Sequence, residues 1–465
     1  MLPRAAPFDG VTPLAAWQAL ADAPYVAWLD SALVDGRLGR YSYLMAEPFG
    51  VLQAKGRRVE LCWQGGRREV WDDDPFVAAA DLLRRLRRPA RPDLPPFQGG
   101  AVGYWGYELA HHLERLPRAE DDLALPDLHL AFYDSVLAWD HLSGACWAVA
   151  NGGPAGDPLA AERRLAETHA WLAGLRSADD APAPLPPPGP PTSTFSRASY
   201  LRAVERVKEH LACGDVYQVN LTQRFAVRPT AGPRALYARL RALSAAPFGA
   251  YLDCGDLVVL SASPELFLRL DGEVIETRPM KGTRPRGRTP VEDAALADEL
   301  GKSAKDRAEN VMIVDLLRND LGRICQVGSV HVPELFVVET YPTVHQLVST
   351  VCGRLRPDLA AFDALRSCLP GGSVTGAPKV RAMGIITALE RVVRGVYCGA
   401  IGYVGFDGAM LTSVAIRTTV LVGGQAYVQV GGGIVADSDP AAEYAETLDK
   451  ARGTFAALGI PQCSS

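Results

Sequence analysis

In the second half of the chain, the predicted β-strands follow one another in hairpin-like pairs, and the predicted helices lie between groups of strands. Strand patterns cover 216–227, 257–263, 266–270, 273–279, 400–406, 413–422 and 426–435, and helical periodicity covers 303–321, 359–368, 378–391 and 440–457, after a first helix that Ser196 caps. Neighbouring parallel strands need a crossover connection of a dozen or more residues, usually a helix. The pattern therefore predicts an α+β fold with antiparallel sheets and excludes regular βαβ alternation.

A proline-rich segment, 177–194, divides the chain. It carries seven prolines and no aromatic residue. Such a composition cannot form a helix and favours extended polyproline conformations on the surface. The segment predicts a linker between an N-terminal region, 1–176, and a C-terminal domain, 195–460.

Composition limits the partners and the compartment. The net charge of −5 argues against general nucleic-acid binding. The nine cysteines form no C-x-x-C pair, which makes a structural zinc site or a disulfide framework improbable. The sequence has no signal-peptide pattern and no apolar run of about 18 residues. We therefore expect a cytoplasmic protein with no nucleic-acid partner and no membrane segment.

Two predicted helices carry acidic residues at suggestive positions. Glu309 shares a helical stripe with apolar side chains, where a carboxylate is costly unless it is paired. Glu443, Glu446 and Lys450 share one face of the last helix. The simpler interpretation is that Glu309 is satisfied by neighbouring groups near the start of its helix. The face of the last helix would then be exposed to solvent, with an ion pair between Glu446 and Lys450. The alternative is that Glu309 and Glu446 converge on one Mg²⁺, which favours one or two carboxylates.

Small residues and one arginine indicate an anion site near that helix. Consecutive glycines, 431–433, let backbone NH groups approach a ligand and form an anion nest, although a simple glycine-rich turn is commoner. Arg417, predicted to lie on a strand, would need a carboxylate if it faced inward, and a structural Arg–Asp pair satisfies it equally. Thr375 lies in a similar small-residue turn.

Lys281 is the candidate nucleophile. It lies between Met280 and Gly282, near three arginines of the stretch 276–287. Desolvation and cationic neighbours would lower the pKa of its amine and make it nucleophilic. An ordinary basic surface loop is the alternative.

Taken in order, these motifs resemble the chorismate-utilising enzymes, the family of anthranilate synthase component I, aminodeoxychorismate synthase component I, isochorismate synthase and salicylate synthase. The motifs are GDVYQVNLTQR, SASPELF, RPMKGTRPRG, AENVMIVDLLRNDLGR, PGGSVTGAPK, GYVGFDG, AIRT and GGGIVADSDPAAEYAET, within 195–455. The N-terminal region carries a weaker resemblance in LDS, GRYSYL and GGAVGYWGYEL. The resemblance implies two orthogonally packed antiparallel β-sheets surrounded by helices.

The resemblance also implies roles for individual residues. Glu309 and Glu446 match positions that hold Mg²⁺, with Glu443 as an acidic companion. Arg417 and Tyr403 match residues that bind the enolpyruvyl carboxylate of chorismate. Thr375, Gly431, Gly432, Gly433 and Lys450 match the rest of the substrate cradle. Glu265 matches the general acid that protonates the departing 4-hydroxyl, for which a raised pKa is expected.

Two positions separate the members of the family. Water-adding members carry a lysine base where this chain has Gln218, and anthranilate synthases carry a small residue where it has Lys281. The resemblance therefore implies amination at ring carbon 4 through a covalent Lys281 adduct. The product would be 4-amino-4-deoxychorismate, the precursor of p-aminobenzoate and folate. The alternatives are anthranilate synthesis or a non-catalytic chorismate-binding paralogue.

The nitrogen source and any regulation are further expectations. No cysteine lies in the G-x-C-x-G motif of an amidotransferase, so we expect a separate glutamine amidotransferase subunit that channels ammonia. Ser31 and Tyr43 are candidates for a tryptophan pocket, although a plain sheet core explains them equally well. His345 precedes Gln346, which replaces a histidine of other members, so its assistance to the leaving hydroxyl is in doubt.

Overall fold

Two antiparallel β-sheets of twelve strands each lie at the centre of the computed structural model, which describes residues 2–34, 37–175, 184–341 and 344–461. Helices cover the outer faces of the sheets. The predicted α+β fold class, with antiparallel sheets and surrounding helices, is confirmed. None of the helices in the described ranges combines the length and the apolar character that a membrane span needs.

The strands and helices are numbered in chain order. The strands are β1 Arg4–Pro7, β2 Ala27–Asp30, β3 Tyr41–Met45, β4 Gly50–Lys55, β5 Arg58–Trp63, β6 Arg68–Asp72, β7 Gly100–Trp105, β8 Leu128–Tyr133, β9 Ser135–Asp140, β10 Cys146–Ala150, β11 Thr192–Ser193, β12 Gln218–Val227, β13 Phe248–Asp253, β14 Leu257–Ser263, β15 Leu266–Asp271, β16 Val274–Thr277, β17 Met280–Pro285, β18 His331–Thr340, β19 Val344–Arg354, β20 Gly376–Ala377, β21 Ala400–Gly405, β22 Met410–Val414, β23 Thr418–Val422 and β24 Gln425–Ile434. The α-helices are α1 Pro13–Ala19, α2 Pro75–Arg85, α3 Pro158–Ala173, α4 Arg197–Ala212, α5 Pro233–Leu243, α6 Pro290–Lys302, α7 Ala304–Gly322, α8 Ala361–Cys368, α9 Lys379–Glu390 and α10 Pro440–Ala457.

Each sheet contains strands from both sides of the proline-rich segment. The first sheet has the order β1-β10-β9-β3-β2-β13-β14-β23-β24-β12-β11, with β20 also paired to β12. The second has the order β17-β19-β16-β15-β22-β21-β7-β8-β4-β5-β6, with β18 also paired to β19. The N-terminal region and the C-terminal domain are therefore joined edge to edge, by β2–β13 in one sheet and β7–β21 in the other. The proline-rich segment separates two parts of the sequence, but both parts contribute strands to the same two sheets.

The end of the predicted linker is part of the first sheet. Its residues 177–183 lie outside the described ranges. Thr192 and Ser193 form β11, which pairs with Ala226 and Phe225 of β12. The pairing anchors the chain just before Ser196, whose side chain caps α4 by accepting from the backbone N of Ser199 at 3.2 Å.

An apolar core lies between the two sheets. Tyr43 and Val259 of the first sheet belong to the same buried cluster as Val102 and Ile401 of the second. Separate buried clusters join α2, α7 and α8 to the second sheet, and α1, α5 and α10 to the first. The two sheets are therefore packed face to face, with helices on both outer sides.

The predicted strand 413–422 is wrong in one respect, because the chain changes sheets inside it. β22 lies in the second sheet and β23 in the first, and Arg417 between them has a left-handed backbone with φ +52°. Both strands are buried, so no polar turn marks the crossing in the sequence. The strand predicted at 273–279 ends at Thr277, and Lys281 lies on the next strand, β17.

Candidate active site

Glu265 and Arg417 lie where the chain passes between the two sheets. Glu265 joins β14 of the first sheet to β15 of the second, and Arg417 joins β22 to β23 in the opposite direction. The backbone N of Val414 donates to Glu265 O at 3.0 Å, and the backbone N of Ala262 donates to Arg417 O at 3.1 Å. Two adjacent crossings thus place an acid and a guanidinium at one seam between the sheets.

Lys281 and Glu265 both lie near Ser373. The Lys281 amine donates to the carbonyl oxygen of Ser373 at 3.2 Å, and the Ser373 side chain is near enough to Glu265 to lower the pKa of its carboxyl. Burial lowers the pKa of Lys281, and the nearby cation of Lys450 lowers it further. This is the direction that a nucleophilic amine requires.

The pKa of Glu265 is raised to about 7, because the carboxyl is buried. The Ser373 side chain and the charge of Lys281 oppose this rise without cancelling it. The direction agrees with the expectation for a general acid that stays protonated near neutral pH.

Three carboxylates approach this pair from two helices. Glu309 lies on α7, and Glu443 and Glu446 lie on α10. A Cβ atom placed on Gly432 would lie 3.2 Å from Glu443 Oε2 and 3.7 Å from Glu446 Oε1, so these two carboxylates converge over the glycine. Glu309 interacts electrostatically with both Glu446 and Lys281.

The carboxylates fit a magnesium ion in their chemistry. Burial raises the pKa of Glu309 and, for the same reason, that of Glu443. Glu446 Oε1 forms an ion pair with Lys450 Nζ at 2.6 Å. Glu443 Oε1 accepts a hydrogen bond from Ser438 Oγ at 2.6 Å. The described part of the chain contains no preassembled group of three or more acidic, histidine or cysteine ligands. Two carboxylates completed by water and substrate oxygens are the arrangement that Mg²⁺ favours.

The three glycines do not form the expected anion nest. Gly431, Gly432 and Gly433 lie in β24, paired residue by residue with β12. Because these glycines have no side chain, other groups can pack closely against both faces of the strand. A Cβ on Gly433 would lie 1.9 Å from Gln218 Nε2, and one on Gly432 would meet the carboxylates of α10. Lys450 Nζ donates to Gly431 O at 3.1 Å and ties the helix to the strand.

The structure separates Tyr403 from Arg417. Tyr403 packs against Tyr43 and Phe97, with ring centroids 5.8 and 4.5 Å away, and lines a cavity of about 500 Å³ together with Ser31. The tyrosine that interacts electrostatically with Arg417 is Tyr397. Burial lowers the pKa of Arg417, and its NH1 donates to the carbonyl oxygen of Lys450.

Ser31 and Tyr43 therefore lie beside one cavity, as a ligand pocket requires. Ser31 Oγ donates to Tyr41 O at 2.7 Å and to Pro247 O at 3.2 Å. Tyr43 Oη accepts from the backbone N of Phe97 at 3.4 Å.

The small-residue turn holds Thr375 in a fully buried position. Its hydroxyl donates to Gly371 O at 3.0 Å, and its carbonyl accepts from the backbone N of Asn220 at 2.8 Å. The side chain thus stabilises the turn itself.

Three glutamines have a buried side-chain carbonyl oxygen without a hydrogen-bond partner among the described residues. They are Gln218, Gln346 and Gln429. His345 is buried, and its ring nitrogens are occupied by Thr340 Oγ1 and Asp293 Oδ1, both at 2.9 Å. Its hydrogen bonds are therefore structural and leave no ring nitrogen for a leaving group.

Sequence reasoning missed Tyr397 and Ser373. Tyr397 stands six residues before Tyr403, outside the motif GYVGFDG that was used to select a tyrosine. Ser373 lies in the turn PGGSVTGAPK, in which only Thr375 was predicted to be a site residue. Only the fold shows which member of each pair reaches the site.

Comparisons with known proteins agree with this geometry. The family profile described as chorismate binding enzyme matches residues 30–456. The chain is 42% identical over 433 residues to aminodeoxychorismate synthase component 1 of Escherichia coli strain K12, covering 93% of this chain and 92% of that one. It is 39% identical over 470 residues to anthranilate synthase component 1 of Pseudomonas putida, covering 99% and 95%.

A solved structure shows the same fold. Anthranilate synthase component I from Streptococcus pneumoniae TIGR4 superposes with a TM-score of 0.81 at 32% identity, over 96% of this chain and 98% of that one. The profile match spans both sides of the proline-rich segment, as the shared sheets do. The chain therefore belongs to the chorismate-binding enzyme family, together with the component I subunits of aminodeoxychorismate synthase and anthranilate synthase.

Proposed function

We propose that this chain replaces the 4-hydroxyl of chorismate with an amino group and releases 4-amino-4-deoxychorismate, for p-aminobenzoate and folate synthesis. The observation that carries the proposal is the Lys281 amine, whose pKa is lowered by burial and which donates to the carbonyl oxygen of Ser373 beside Glu265. Relatives with both amino-transferring activities match at similar identity, so overall similarity does not choose the product. Lys281 favours carbon 4.

The first step joins Lys281 to the ring. The neutral Nζ attacks carbon 2, both double bonds of the ring diene shift, and the bond between carbon 4 and its hydroxyl breaks. Glu265 gives its proton to the departing hydroxyl, which leaves as water. A carboxyl with a pKa raised to about 7 retains that proton at neutral pH.

The second step reverses the shift. Ammonia attacks carbon 4, both double bonds move back, and the bond from carbon 2 to Nζ breaks, so Lys281 leaves as a neutral amine. The Glu265 carboxylate takes the excess proton from the new amino group and is ready for another turnover. Two displacements through a covalent intermediate replace one difficult substitution.

Other residues would bind and orient the substrate. Arg417, with Tyr397 beside it, suits the enolpyruvyl carboxylate. Glu309 and Glu446, with Glu443 as a companion, would hold Mg²⁺. The ion, when bound, supplies positive charge for the ring carboxylate. Gln218 cannot deprotonate water, which disfavours hydroxylation at carbon 2.

We also propose a separate glutamine amidotransferase subunit in the cytoplasm as the ammonia source. The relatives are named component 1, which supports a two-component enzyme. Free ammonia at high concentration should replace the partner, which makes the isolated chain testable.

A product assay tests the proposed reaction. The protein is incubated with chorismate, Mg²⁺ and concentrated ammonium at neutral pH, where a fraction of Glu265 is protonated and some free ammonia is present. The products are separated by chromatography and identified by mass spectrometry. The proposal predicts 4-amino-4-deoxychorismate, which Lys281→Ala should abolish and Lys302→Ala, an exposed control, should not. Anthranilate as the product would contradict the proposal. No turnover, with or without an amidotransferase, would favour a non-catalytic binding protein.

A further inference from the structure

A small polar cavity adjoins the proposed active site. It has a volume of about 20 Å³ and is lined by Thr418 of β23, Gln429 of β24, Glu108 and residues of the segment 393–397. A molecule the size of water requires a cavity of about 10–15 Å³. The cavity therefore holds a single small guest.

The inner end of the cavity lies beside Arg417. Thr418 directly follows Arg417 in the chain, and the Thr418 hydroxyl donates to Ile416 O at 2.9 Å. Tyr397, which also lines the cavity, is the tyrosine that interacts electrostatically with Arg417. Two walls of the cavity are therefore next to the residue proposed to bind the enolpyruvyl carboxylate.

A third wall supports the turn that Lys281 contacts. Arg394, which lines the cavity, donates through NH1 to Val374 O at 2.8 Å. Val374 follows Ser373, whose carbonyl oxygen accepts from Lys281 Nζ at 3.2 Å. One buried arginine thus contacts both the cavity and the turn beside the proposed nucleophile.

The outer end of the cavity reaches the surface. Lys55 and Asp121 line it and form an ion pair at 2.6 Å, with side chains 41% and 33% exposed. The cavity therefore lies between solvent and the proposed site.

Two lining side chains offer acceptor oxygens to a guest. Gln429 is 4% exposed, and its Nε2 donates to Thr222 Oγ1 at 2.9 Å, but its Oε1 has no partner among the described residues. The carboxylate of Glu108 accepts from the backbone N of Arg394 at 2.9 Å and from that of Gly395 at 2.8 Å. A carboxylate has about four acceptor sites, so Glu108 can accept further donors.

The cations around the cavity are already paired. Each of the three is bound to a carboxylate: Lys55 to Asp127, Arg224 to Asp122 and Arg394 to Glu390. Their charge is compensated, so the cavity favours a guest that donates hydrogen bonds. Water has as many acceptor sites as donors, whereas ammonium carries four N–H donors, no acceptor and a charge opposite to that of Glu108.

We propose that this cavity binds ammonium, the source of the nitrogen, before ammonia reaches carbon 4 of the ring. Glu108 and Gln429 accept its N–H donors. The inference rests on the proposed function and adds to it a binding site for the second substrate.

Glu108 also frees the nucleophile. Ammonium has no lone pair and must lose a proton before its nitrogen attacks. One N–H bond breaks, one O–H bond forms on the Glu108 carboxylate, and neutral ammonia is released. The carboxyl then gives the proton to water. Burial raises the pKa of Glu108 to about 7, which makes its carboxylate a stronger base than an exposed one.

The Michaelis constant for ammonium tests the role of Gln429. Gln429→Met removes the free acceptor at similar volume, and Gln429→Glu keeps an acceptor oxygen at the same place. Thr222→Val is the matched control, because it removes the hydrogen bond between Thr222 and Gln429 but leaves Gln429 Oε1. Each variant is assayed with saturating Mg²⁺, varying ammonium at saturating chorismate and then the reverse.

Gln429→Met should raise the KM for ammonium about tenfold, the usual cost of losing one hydrogen bond to a charged group. Its kcat and its KM for chorismate should stay within about twofold of wild type, as should all three constants of Gln429→Glu and Thr222→Val. An unchanged KM for ammonium in Gln429→Met, or an equal rise in both Michaelis constants, would overturn the proposal.

A second measurement needs no variant and no turnover. Crystals of the wild-type protein are soaked in rubidium, an ion of nearly the size of ammonium, and the anomalous scattering is mapped. The proposal predicts a peak beside Glu108 and Gln429 that added ammonium displaces. The lack of a peak there, or a peak that ammonium does not displace, would overturn it.

The proposed function fails or succeeds separately. Anthranilate as the product would contradict amination at carbon 4, yet the KM for ammonium would still report on this cavity, because both reactions consume ammonia. A protein with no turnover would still give the rubidium result.

Discussion

Lys450 Nζ lies 2.6 Å from Oε1 of Glu446, one helical turn earlier on α10. The same amine donates to Gly431 O at 3.1 Å, so it is held against the glycine strand rather than left in solvent. This fixed cation is the largest cause, after burial, of the lowered pKa of Lys281. An ion pair that resembles an ordinary surface contact thus tunes the proposed nucleophile.

Removing that cation should make Lys281 less reactive. In Lys450→Met, we expect the pKa of the Lys281 amine to rise, because one like charge is lost. The rate of Lys281 acylation, followed by peptide mass spectrometry across pH, measures this without turnover. Lys302→Met, which removes an exposed ion pair, should leave the profile unchanged. An unshifted profile in Lys450→Met would show that burial alone tunes the amine.

Glu265 should destabilise the fold at alkaline pH. Its pKa rises from the ordinary 4.5 to about 7 in the folded protein. The folded state therefore binds the proton more tightly, and the stability this contributes is complete below pH 4.5 and lost as pH rises through 7. Glu265→Gln should match wild type at pH 4.5 and exceed it by up to about 3 kcal/mol at pH 8. Urea unfolding at both pH values measures the difference.

The same substitution should nearly abolish turnover. Loss of a general acid typically costs about 10²–10⁴-fold in rate. Glu265→Gln should therefore lower kcat by that amount while the protein becomes more stable at pH 8. Equal turnover in Glu265→Gln and wild type would exclude Glu265 as the acid.

Arg394 should be essential for stability. It is fully buried and paired with Glu390, and breaking such a pair leaves an uncompensated charge. We expect Arg394→Met to lower the free energy of unfolding by about 3–5 kcal/mol. Arg381→Met, which breaks an exposed pair with Asp215, should cost less than about 1 kcal/mol. Similar losses in the two variants would contradict a central role for the buried pair.

Magnesium binding should require both helices. Glu309→Gln and Glu446→Gln each remove one proposed ligand, and we expect either to weaken Mg²⁺ binding at least tenfold in the presence of chorismate. Calorimetric titration measures the affinity directly. Glu209→Gln, an exposed carboxylate on α4 paired with Arg206, is the control. Unchanged affinity in Glu309→Gln would place the metal elsewhere.

Local patterns predicted the elements well, because helix caps and strand alternation are encoded in adjacent residues. The helices α4, α7 and α10 begin at the predicted caps or within one residue of the predicted starts. The paired strands predicted the antiparallel sheets. The sharing of each sheet by both halves of the chain could not be predicted, since strand order depends on contacts between distant residues.

The site was predicted less completely, for the same reason. The backbone of Arg417 reverses between two buried strands, and nothing in the alternation of residues 413–422 marks that crossing. The choice between Tyr397 and Tyr403 depends on which of the two the fold brings near Arg417, and that is Tyr397. The glycines 431–433 serve close packing in a strand, which their composition alone does not distinguish from a nest.

The most direct test of the central claim is to trap the covalent intermediate. The protein is mixed with chorismate and Mg²⁺ in ammonia-free buffer, and the reaction is quenched with acid. After digestion, the mass of the peptide that contains Lys281 is measured by mass spectrometry. The account predicts a mass increase of chorismate less one water on Lys281, absent in Glu265→Gln and discharged by added ammonium. An unmodified Lys281 peptide under conditions that support amination would contradict the covalent route.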